Sequence, residues 1–184
     1  MIKIMSITDT YMNSSLDLVE EVFTDYSDKE EGLLVRSLIE EIRNMDTYIP
    51  ILEIIALNEN DEIIGYAMFS GFHIEGKYKD DLLLLSPVAV KTNMQRRHIS
   101  KDMIEYGFDK SIELGYKAVI VEGNPQNYKS RGFVTSSDYD IVPGESVDVP
   151  AVECLMVKEL VPGALERIKG VVEYEYKTLK TGGN

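Results

Sequence analysis

The sequence has little cysteine and histidine and no long apolar run. Its 184 residues include one cysteine, Cys154, and two histidines. A lone cysteine cannot form a disulfide within the chain or supply a cysteine cluster for zinc or iron–sulfur chemistry. Apolar runs reach only four residues, as at 82–85, whereas a membrane-spanning helix needs about 20. We therefore expect no metal site and no membrane association.

Basic residues are also scarce. The chain carries 19 lysines and arginines against 32 acidic residues, a net charge of −13. This balance disfavours nucleic acid and anionic lipid as partners and favours a cationic one. Residues 1–63 hold fifteen acids and four bases. The exception is a segment without any acid that holds four bases, namely Lys91, Arg96, Arg97 and Lys101.

No signal, linker or repeat interrupts the chain. The first ten residues, MIKIMSITDT, lack the basic segment, the long apolar stretch and the cleavage site of a secretory signal. The length suits one ordinary domain. We expect a cytoplasmic protein with a single domain over residues 1–184.

Apolar periodicity predicts a mixed α/β fold. A short strand around Ile4 precedes two amphipathic helices, the first of which has a capping-box spacing that starts at Ser14. The β-rich runs 53–57 and 63–69 flank the turn-forming residues 58–61, which predicts an antiparallel hairpin.

A βαβ unit follows the hairpin. It consists of a strand over 82–90, a helix and a strand over 118–122, and such a pair is parallel. Pro87 has no N–H, so the first strand must bulge there or part from its neighbour. The small residues Gly107 and Ser111 would let the helix lie close to the sheet.

The last clear strand is predicted over 152–157, with Cys154 on it as a small core residue rather than a nucleophile. The predicted order is β-α-α-β-β-β-α-β-α-β. This order indicates a mostly antiparallel sheet that contains one parallel crossover.

The basic segment opens the crossover helix, at Gln95 to Ser100. Backbone N–H groups at a helix start favour an anion, and a diphosphate suits such donors. The alternative interpretation is a solvated basic turn.

Four motifs occur in a fixed order. They are Val88-Ala89-Val90, Gln95-Arg96-Arg97-His98-Ile99-Ser100, Asn124-Pro125 and Tyr128-Lys129-Ser130-Arg131-Gly132-Phe133. This series resembles the GNAT superfamily of acyl-CoA-dependent N-acetyltransferases, and the tail is similar to a bacterial branch of mostly unassigned substrate. The resemblance implies a splayed strand pair, acceptor-side helices and first strands in 1–63, an acyl-CoA-binding core in 82–133, and C-terminal strands and a tail in 134–184.

The resemblance also implies a set of site residues. The first motif would present its backbone to the pantetheine arm, the second would hold the pyrophosphate, and Asn124 would hydrogen-bond the arm. Tyr128 would be the general acid. The implied acetyl-CoA-binding residues are Val88, Ala89, Val90, Gln95, Arg96, Arg97, His98, Ile99, Ser100, Lys101 and Asn124.

Two loop positions depart from the family pattern. The family usually has glycine where this chain has His98 and often where it has Ser100, and glycine permits a closer backbone approach. The imidazole of His98 must turn away from the phosphates or donate to one. This departure leaves two alternatives to an active enzyme: a non-catalytic acyl-CoA-binding or regulatory module, and a scaffold without acyl-CoA affinity.

The implied reaction is direct attack of a neutral primary amine on the thioester, through a tetrahedral intermediate stabilised by a backbone N–H near Val88 or Ala89. Tyr128 would protonate the departing sulfur; the alternative is a core aromatic on a short helix. The general base stays open among Glu53, His73, Glu75 and Glu122. The acceptor would be a small-molecule or peptide amine, cationic as the acidic N-terminal third suggests. A homodimer is implied by resemblance alone.

Overall fold

The computed structural model describes residues 1–181, in which the chain forms nine strands and five helices. The strands are β1 (Lys3–Ser6), β2 (Glu53–Leu57), β3 (Ile63–Gly71), β4 (Leu82–Val90), β5 (Ala118–Glu122), β6 (Val134–Thr135), β7 (Ile141–Pro143), β8 (Leu155–Glu159) and β9 (Gly170–Val172). The helices are α1 (Met12–Tyr26), α2 (Lys29–Arg43), α3 (Ile99–Glu113), α4 (Pro125–Tyr128) and α5 (Lys177–Thr181). Up to α4, this order is the predicted one. Among these residues, no helix has the length and apolar character needed to cross a membrane.

Seven strands form the main sheet, in the order β1-β2-β3-β4-β5-β8-β6, and β7 and β9 form a separate parallel pair. Strand β4 pairs with β5 in parallel, with α3 in the connection between them. The pairs β1–β2, β2–β3, β5–β8 and β6–β8 are antiparallel. The predicted mixed sheet with one parallel crossover is therefore confirmed.

The chain divides into two compact units. The amino-terminal unit comprises Met1–Ser70, Pro87–Lys110 and the residues from Tyr176 onward. The carboxy-terminal unit comprises Gly71–Ser86 and Ser111–Glu175. The chain enters the second unit twice, so each unit is built from segments distant in sequence.

In the amino-terminal unit, α1 and α2 pack closely. A Cβ at Gly32 would lie 2.2 Å from the side-chain oxygen of Thr24, so a larger residue would push the helices apart. Arg36 then joins the two helices, because it donates to Asp17 at 2.8 Å and to Glu20 at 2.9 Å. Two carboxylates of α1 are thus neutralised by an arginine of α2.

Helix α3 confirms the predicted close approach to the sheet. A Cβ at Gly107 would lie 2.1 Å from the ring of Phe69, and that ring meets Phe108 edge-on with 6.0 Å between centroids. Glycine is needed here because the aromatic ring occupies the space that a side chain would fill.

Three predictions about local structure are wrong. Ser14 is not a helix cap: residues 9–11 form a 3-10 turn that runs into α1, and the hydroxyl of Ser14 donates to the carbonyl of Tyr11 inside the helical region. Residues 152–154 form another such turn, so β8 begins at Leu155. Cys154 lies in that turn and is half-exposed, so it is not a core strand residue.

Candidate active site

The end of β4 extends beyond the part that pairs with β5. The parallel register runs from Leu82 opposite Ala118 to Leu85 opposite Val121, and β4 itself continues to Val90. Pro87 lies two residues after the last pair, where its missing N–H has the effect predicted from the sequence. Within the three-residue motif after it, Val88 and Val90 are half-exposed and Ala89 is buried.

A short anchored turn follows β4 in the amino-terminal unit. The N–H of Lys91 donates to Ile64 at 2.9 Å, and residues 92–94 form a 3-10 turn. The hydroxyl of Thr92 donates to the carboxylate of Asp25 at 2.8 Å, which ties the turn to the end of α1. Gln95 donates from its side chain to the carbonyl of Val90 at 3.3 Å. The start of the basic loop is therefore fixed by contacts within its own unit.

The basic loop contains two left-handed residues. Arg96 has a φ of 62° and His98 a φ of 63°, which for residues with a Cβ stores strain of about 1–3 kcal/mol each. His98 precedes α3 directly, and its carbonyl accepts the N–H of Asp102 at 2.9 Å. The backbone at His98 thus adopts a conformation that glycine adopts without strain. Left-handed residues at a helix start are a component of anion-binding nests.

The positive charge of the basic loop lies on side chains that are exposed to solvent. Arg96, Arg97 and His98 are exposed, whereas Ile99 is buried and Ser100 is half-buried. Lys101 lies 3.7 Å from Glu105 on the next turn of α3, so that pair partly compensates its charge. The predicted phosphate-binding segment is therefore an exposed basic loop held by a buried isoleucine.

The carboxy-terminal unit holds the remaining predicted residues, after β5. The side-chain oxygen of Asn124 accepts the N–H of Gln126 at 2.9 Å and caps α4, with Pro125 at the first helical position. The side-chain amide nitrogen of Asn124 is then the atom that can donate to a ligand. The N–H of Gly123 donates to the carbonyl of Cys154 at 2.9 Å, which fixes the chain before the cap.

Tyr128 ends α4, and its half-buried ring packs within this unit. A Cβ at Gly123 would lie 2.4 Å from the ring, and Phe133 meets it edge-on at 5.6 Å between centroids. The guanidinium of Arg131 lies 5.6 Å from the ring centroid. Burial raises the pKa of the Tyr128 phenol, while Arg131 opposes that effect. The phenol is therefore protonated at neutral pH, as a proton donor must be.

The four carboxylate and histidine candidates for the general base differ in their surroundings. Glu53, in the amino-terminal unit, has no exposed surface and accepts from Arg43 at 2.5 Å, from Tyr48 at 2.5 Å and from Tyr66 at 2.6 Å. Its carboxylate is therefore fixed by hydrogen bonds from these three side chains. The geometry therefore gives Glu53 a structural role, and a proton acceptor must be sought elsewhere.

His73 and Glu75 share one turn in the carboxy-terminal unit. The Nδ1 of His73 accepts the N–H of Gly76 at 3.1 Å, and its Nε2 lies 3.4 Å from Glu175. Glu75 is exposed and left-handed, with a φ of 53°. His73 thus stabilises the turn through its side chain.

Glu122 is the last residue of β5, and its side chain retains solvent access. The phenol of Tyr174 donates to its carboxylate at 2.9 Å. Desolvation by the surrounding protein raises the pKa of Glu122, Asp148 adds to that effect, and the Tyr174 hydrogen bond opposes it. Sequence reasoning missed Tyr174, because its apolar spacing with Val172 gives no sign of a partner 52 residues away.

A mostly antiparallel sheet with one parallel crossover, a basic loop at the start of the crossover helix and a tyrosine after the next strand are the features of a GNAT acyltransferase. Residues 16–137, about two thirds of the chain, match the family model described as the acetyltransferase (GNAT) family. The chain belongs to this family and, with it, to the acetyl-transferring enzymes, which confirms the resemblance and the enzyme class.

Comparisons with individual proteins agree with the family assignment. The chain is 29% identical over 128 residues to an uncharacterized N-acetyltransferase, YhbS, of Escherichia coli K12, covering 67% of this chain and 71% of that protein. The solved structure of Escherichia coli YhbS in complex with CoA has a TM-score of 0.82 at 20% identity and covers 98% and 91% of the two chains. The structure of a GNAT family acetyltransferase from Brucella melitensis in complex with acetyl-CoA has a TM-score of 0.70 at 19% sequence identity. The match covers 97% of each of the two chains. These likenesses confirm the GNAT fold.

Proposed function

We propose that this protein transfers the acetyl group of acetyl-CoA to a primary amine. The observation that carries the proposal is the basic loop before α3, where Arg96 and His98 are left-handed and Arg97 and Lys101 add positive charge. Membership in the family supports acetyl transfer in general. The solved relatives with CoA or acetyl-CoA support the choice of that donor.

The donor in this proposal is acetyl-CoA. Acetyl-CoA supplies the activated acetyl group, and the loop backbone binds its diphosphate, with the arginine side chains adding charge. The backbone of the motif after Pro87 and the side-chain amide of Asn124 bind the pantetheine arm. The full set is the predicted one: Val88, Ala89, Val90, Gln95, Arg96, Arg97, His98, Ile99, Ser100, Lys101 and Asn124.

Tyr128 donates a proton to the sulfur as the thioester bond breaks. Its raised pKa keeps the phenol protonated before the reaction, and Arg131 limits the rise. The ring is fixed against Gly123 and Phe133, so the hydroxyl has a defined direction. A fixed donor at the leaving group is the arrangement that general acid catalysis requires.

The acceptor is a cationic small-molecule or peptide amine. A net charge of −13 concentrates ammonium groups near the protein. Arg36 neutralises some of the carboxylates on α1 and α2, so the attraction comes from the charge of the chain as a whole. The cytoplasmic location and the homodimer remain predictions.

Calorimetric titration with acetyl-CoA tests the donor site. We expect micromolar affinity, about 8 kcal/mol, and weaker binding of pantetheine fragments that lack the diphosphate. Replacing Arg96→Glu together with Arg97→Glu should weaken binding at least tenfold, about 1.4 kcal/mol. Lys3→Glu with Lys29→Glu is the matched control, because it makes the same charge change on the same unit away from the loop. Equal affinity of the two double variants would contradict the proposed loop.

The non-catalytic acyl-CoA-binding module is the second candidate. The observation that favours it is that this left-handed loop position carries the side chain of His98, where the family usually has glycine. The two functions differ in turnover. In an enzyme, Tyr128→Phe lowers kcat and leaves acetyl-CoA affinity nearly unchanged. If the wild-type protein binds acetyl-CoA and acetylates no primary amine, the module is the correct function.

A further inference from the structure

Glu122 stands at the start of the segment that carries Asn124 and Tyr128. It is the last residue of β5, opposite Leu155 of β8, so the sheet fixes its backbone. The next residue, Gly123, is the one on which the ring of Tyr128 packs. A solvent-accessible carboxylate, an amide and a phenol are therefore presented by residues 122–128 within one unit.

Tyr174 reaches Glu122 from a part of the chain that the family model does not match. It lies two residues after β9, which pairs with β7 through Gly170 opposite Ile141. Its N–H donates to the hydroxyl of Ser146 at 2.7 Å, and its ring meets Phe72 edge-on at 6.3 Å between centroids. The phenol thus approaches the carboxylate from a ring that its own unit holds in place.

We propose that Glu122 is the general base that deprotonates the acceptor amine, and that Tyr174 is the residue that positions its carboxylate. This inference rests on the proposed function, because it names the base for that reaction. Among the four candidates from the sequence, Glu122 combines solvent access, a place next to Gly123, on which the ring of Tyr128 packs, and a defined phenol partner. Glu53 is enclosed by its partners, and His73 is used by its turn.

The protons balance as follows. Glu122 takes one proton from the acceptor ammonium, directly or through a water molecule, and leaves a neutral amine. The amine nitrogen forms a bond to the acetyl carbon, the carbon–sulfur bond breaks, and Tyr128 gives a proton to the sulfur. The attacking nitrogen carries two protons after the new bond forms. It keeps one as the amide N–H and loses the other, which returns Tyr128 to the neutral phenol. Each turnover releases the one proton held by Glu122.

The titratable groups that act on Glu122 are Tyr174 and Asp148. Tyr174 stabilises the carboxylate by donating a hydrogen bond, whereas Asp148 disfavours it by like charge. A base must be deprotonated to act, so kcat/KM falls as the pH drops through the pKa of Glu122. Removing the phenol raises that pKa further, and this predicts a shift of the acidic limb to higher pH.

The first experiment measures acetylation of spermidine, glucosamine and a lysine-containing peptide by the full-length protein. Glu122→Gln should lower kcat about 10²- to 10⁴-fold, with acetyl-CoA affinity by calorimetry unchanged. Glu122→Asp should restore part of the rate. The matched control is Glu153→Gln, which removes the same charge from an exposed position of the same unit and should keep the wild-type rate.

The second experiment records the pH profile of kcat/KM for Tyr174→Phe. A positioning role predicts that the acidic limb moves to higher pH, which a loss of structure alone would not produce. An unmoved limb would overturn the role of Tyr174.

The two proposals fail in different ways. If the wild type acetylates an amine and Glu122→Gln keeps its rate and its profile, the base assignment is wrong and the proposed function stands. If acetyl-CoA binds and no amine is acetylated, the proposed function fails and the base assignment fails with it.

Discussion

Two glutamates that look alike in the sequence have opposite surroundings in the two units. Glu53 begins β2 and Glu122 ends β5, and both stand beside apolar strand residues. Glu53 is wholly enclosed and accepts from an arginine and two tyrosines. Glu122 retains solvent access and has one phenol as its hydrogen-bonding partner. The same side chain thus joins three elements in one unit and is left able to exchange a proton in the other.

The difference follows from the cost of burying charge. A carboxylate removed from water needs a full set of partners, and breaking such a set leaves an uncompensated charge. A carboxylate that must gain and lose a proton needs access to its donor and a pKa moved toward neutrality. Strand position fixes neither property, because both depend on side chains that arrive from other elements.

The largest expected effect is on stability. Glu53→Ala should lower the free energy of unfolding by about 3–5 kcal/mol, because the buried guanidinium of Arg43 loses the carboxylate that compensates its charge. Urea denaturation followed by circular dichroism measures this loss. Glu122→Gln is the matched comparison and should change stability by no more than about 0.5 kcal/mol. Similar losses for both variants would remove the distinction between the two glutamates.

Two glycines sharpen the comparison between the units. Gly107→Ala should cost about 1–3 kcal/mol of stability, because the new methyl group meets the ring of Phe69. Gly123→Ala meets the ring of Tyr128 instead and should lower turnover more than stability. Thermal unfolding and amine acetylation measured on both variants decide this. Gly76→Ala, where a Cβ would meet no atom within 4 Å but the φ is 78°, separates backbone strain from these clashes.

The smallest effect concerns alkaline pH. Burial and Glu53 raise the pKa of Tyr48 and of Tyr66 above the ordinary value for a phenol. Their contribution is complete below the unfolded-state pKa of about 10 and is lost as the pH rises further. Tyr48→Phe should therefore flatten the fall in unfolding free energy above about pH 10. Tyr26→Phe, at a residue 86% exposed, should leave that slope unchanged.

Much of the fold could be predicted because its signals are local. The 58–61 turn, the run of apolar residues over 82–85 and the small residue at 107 each act through their own neighbours along the chain or through general packing rules. The prediction that Ser14 caps α1 is wrong for a local reason as well, because the helix starts from the 3-10 turn that precedes it. The predicted start of β8 is wrong because its first three predicted residues form a tight turn.

The site was harder to predict where distant residues meet. The order of motifs placed the basic loop and Tyr128, but the left-handed backbone at His98 follows from the loop as a whole. The hydrogen bond from Tyr174 to Glu122 has no sequence signature. For Glu53 the deciding partners, Arg43 and Tyr66, lie on different elements from it and from each other.

The Glu53 cluster also has a consequence for the order of folding. Arg43, Tyr48 and Tyr66 lie 10, 5 and 13 residues from Glu53 along the chain, whereas Tyr174 lies 52 residues from Glu122. Closing short loops costs less conformational entropy, so contacts near in sequence form earlier. Loss of the Glu53 contacts should therefore slow refolding, and loss of the Tyr174 contact should instead speed unfolding.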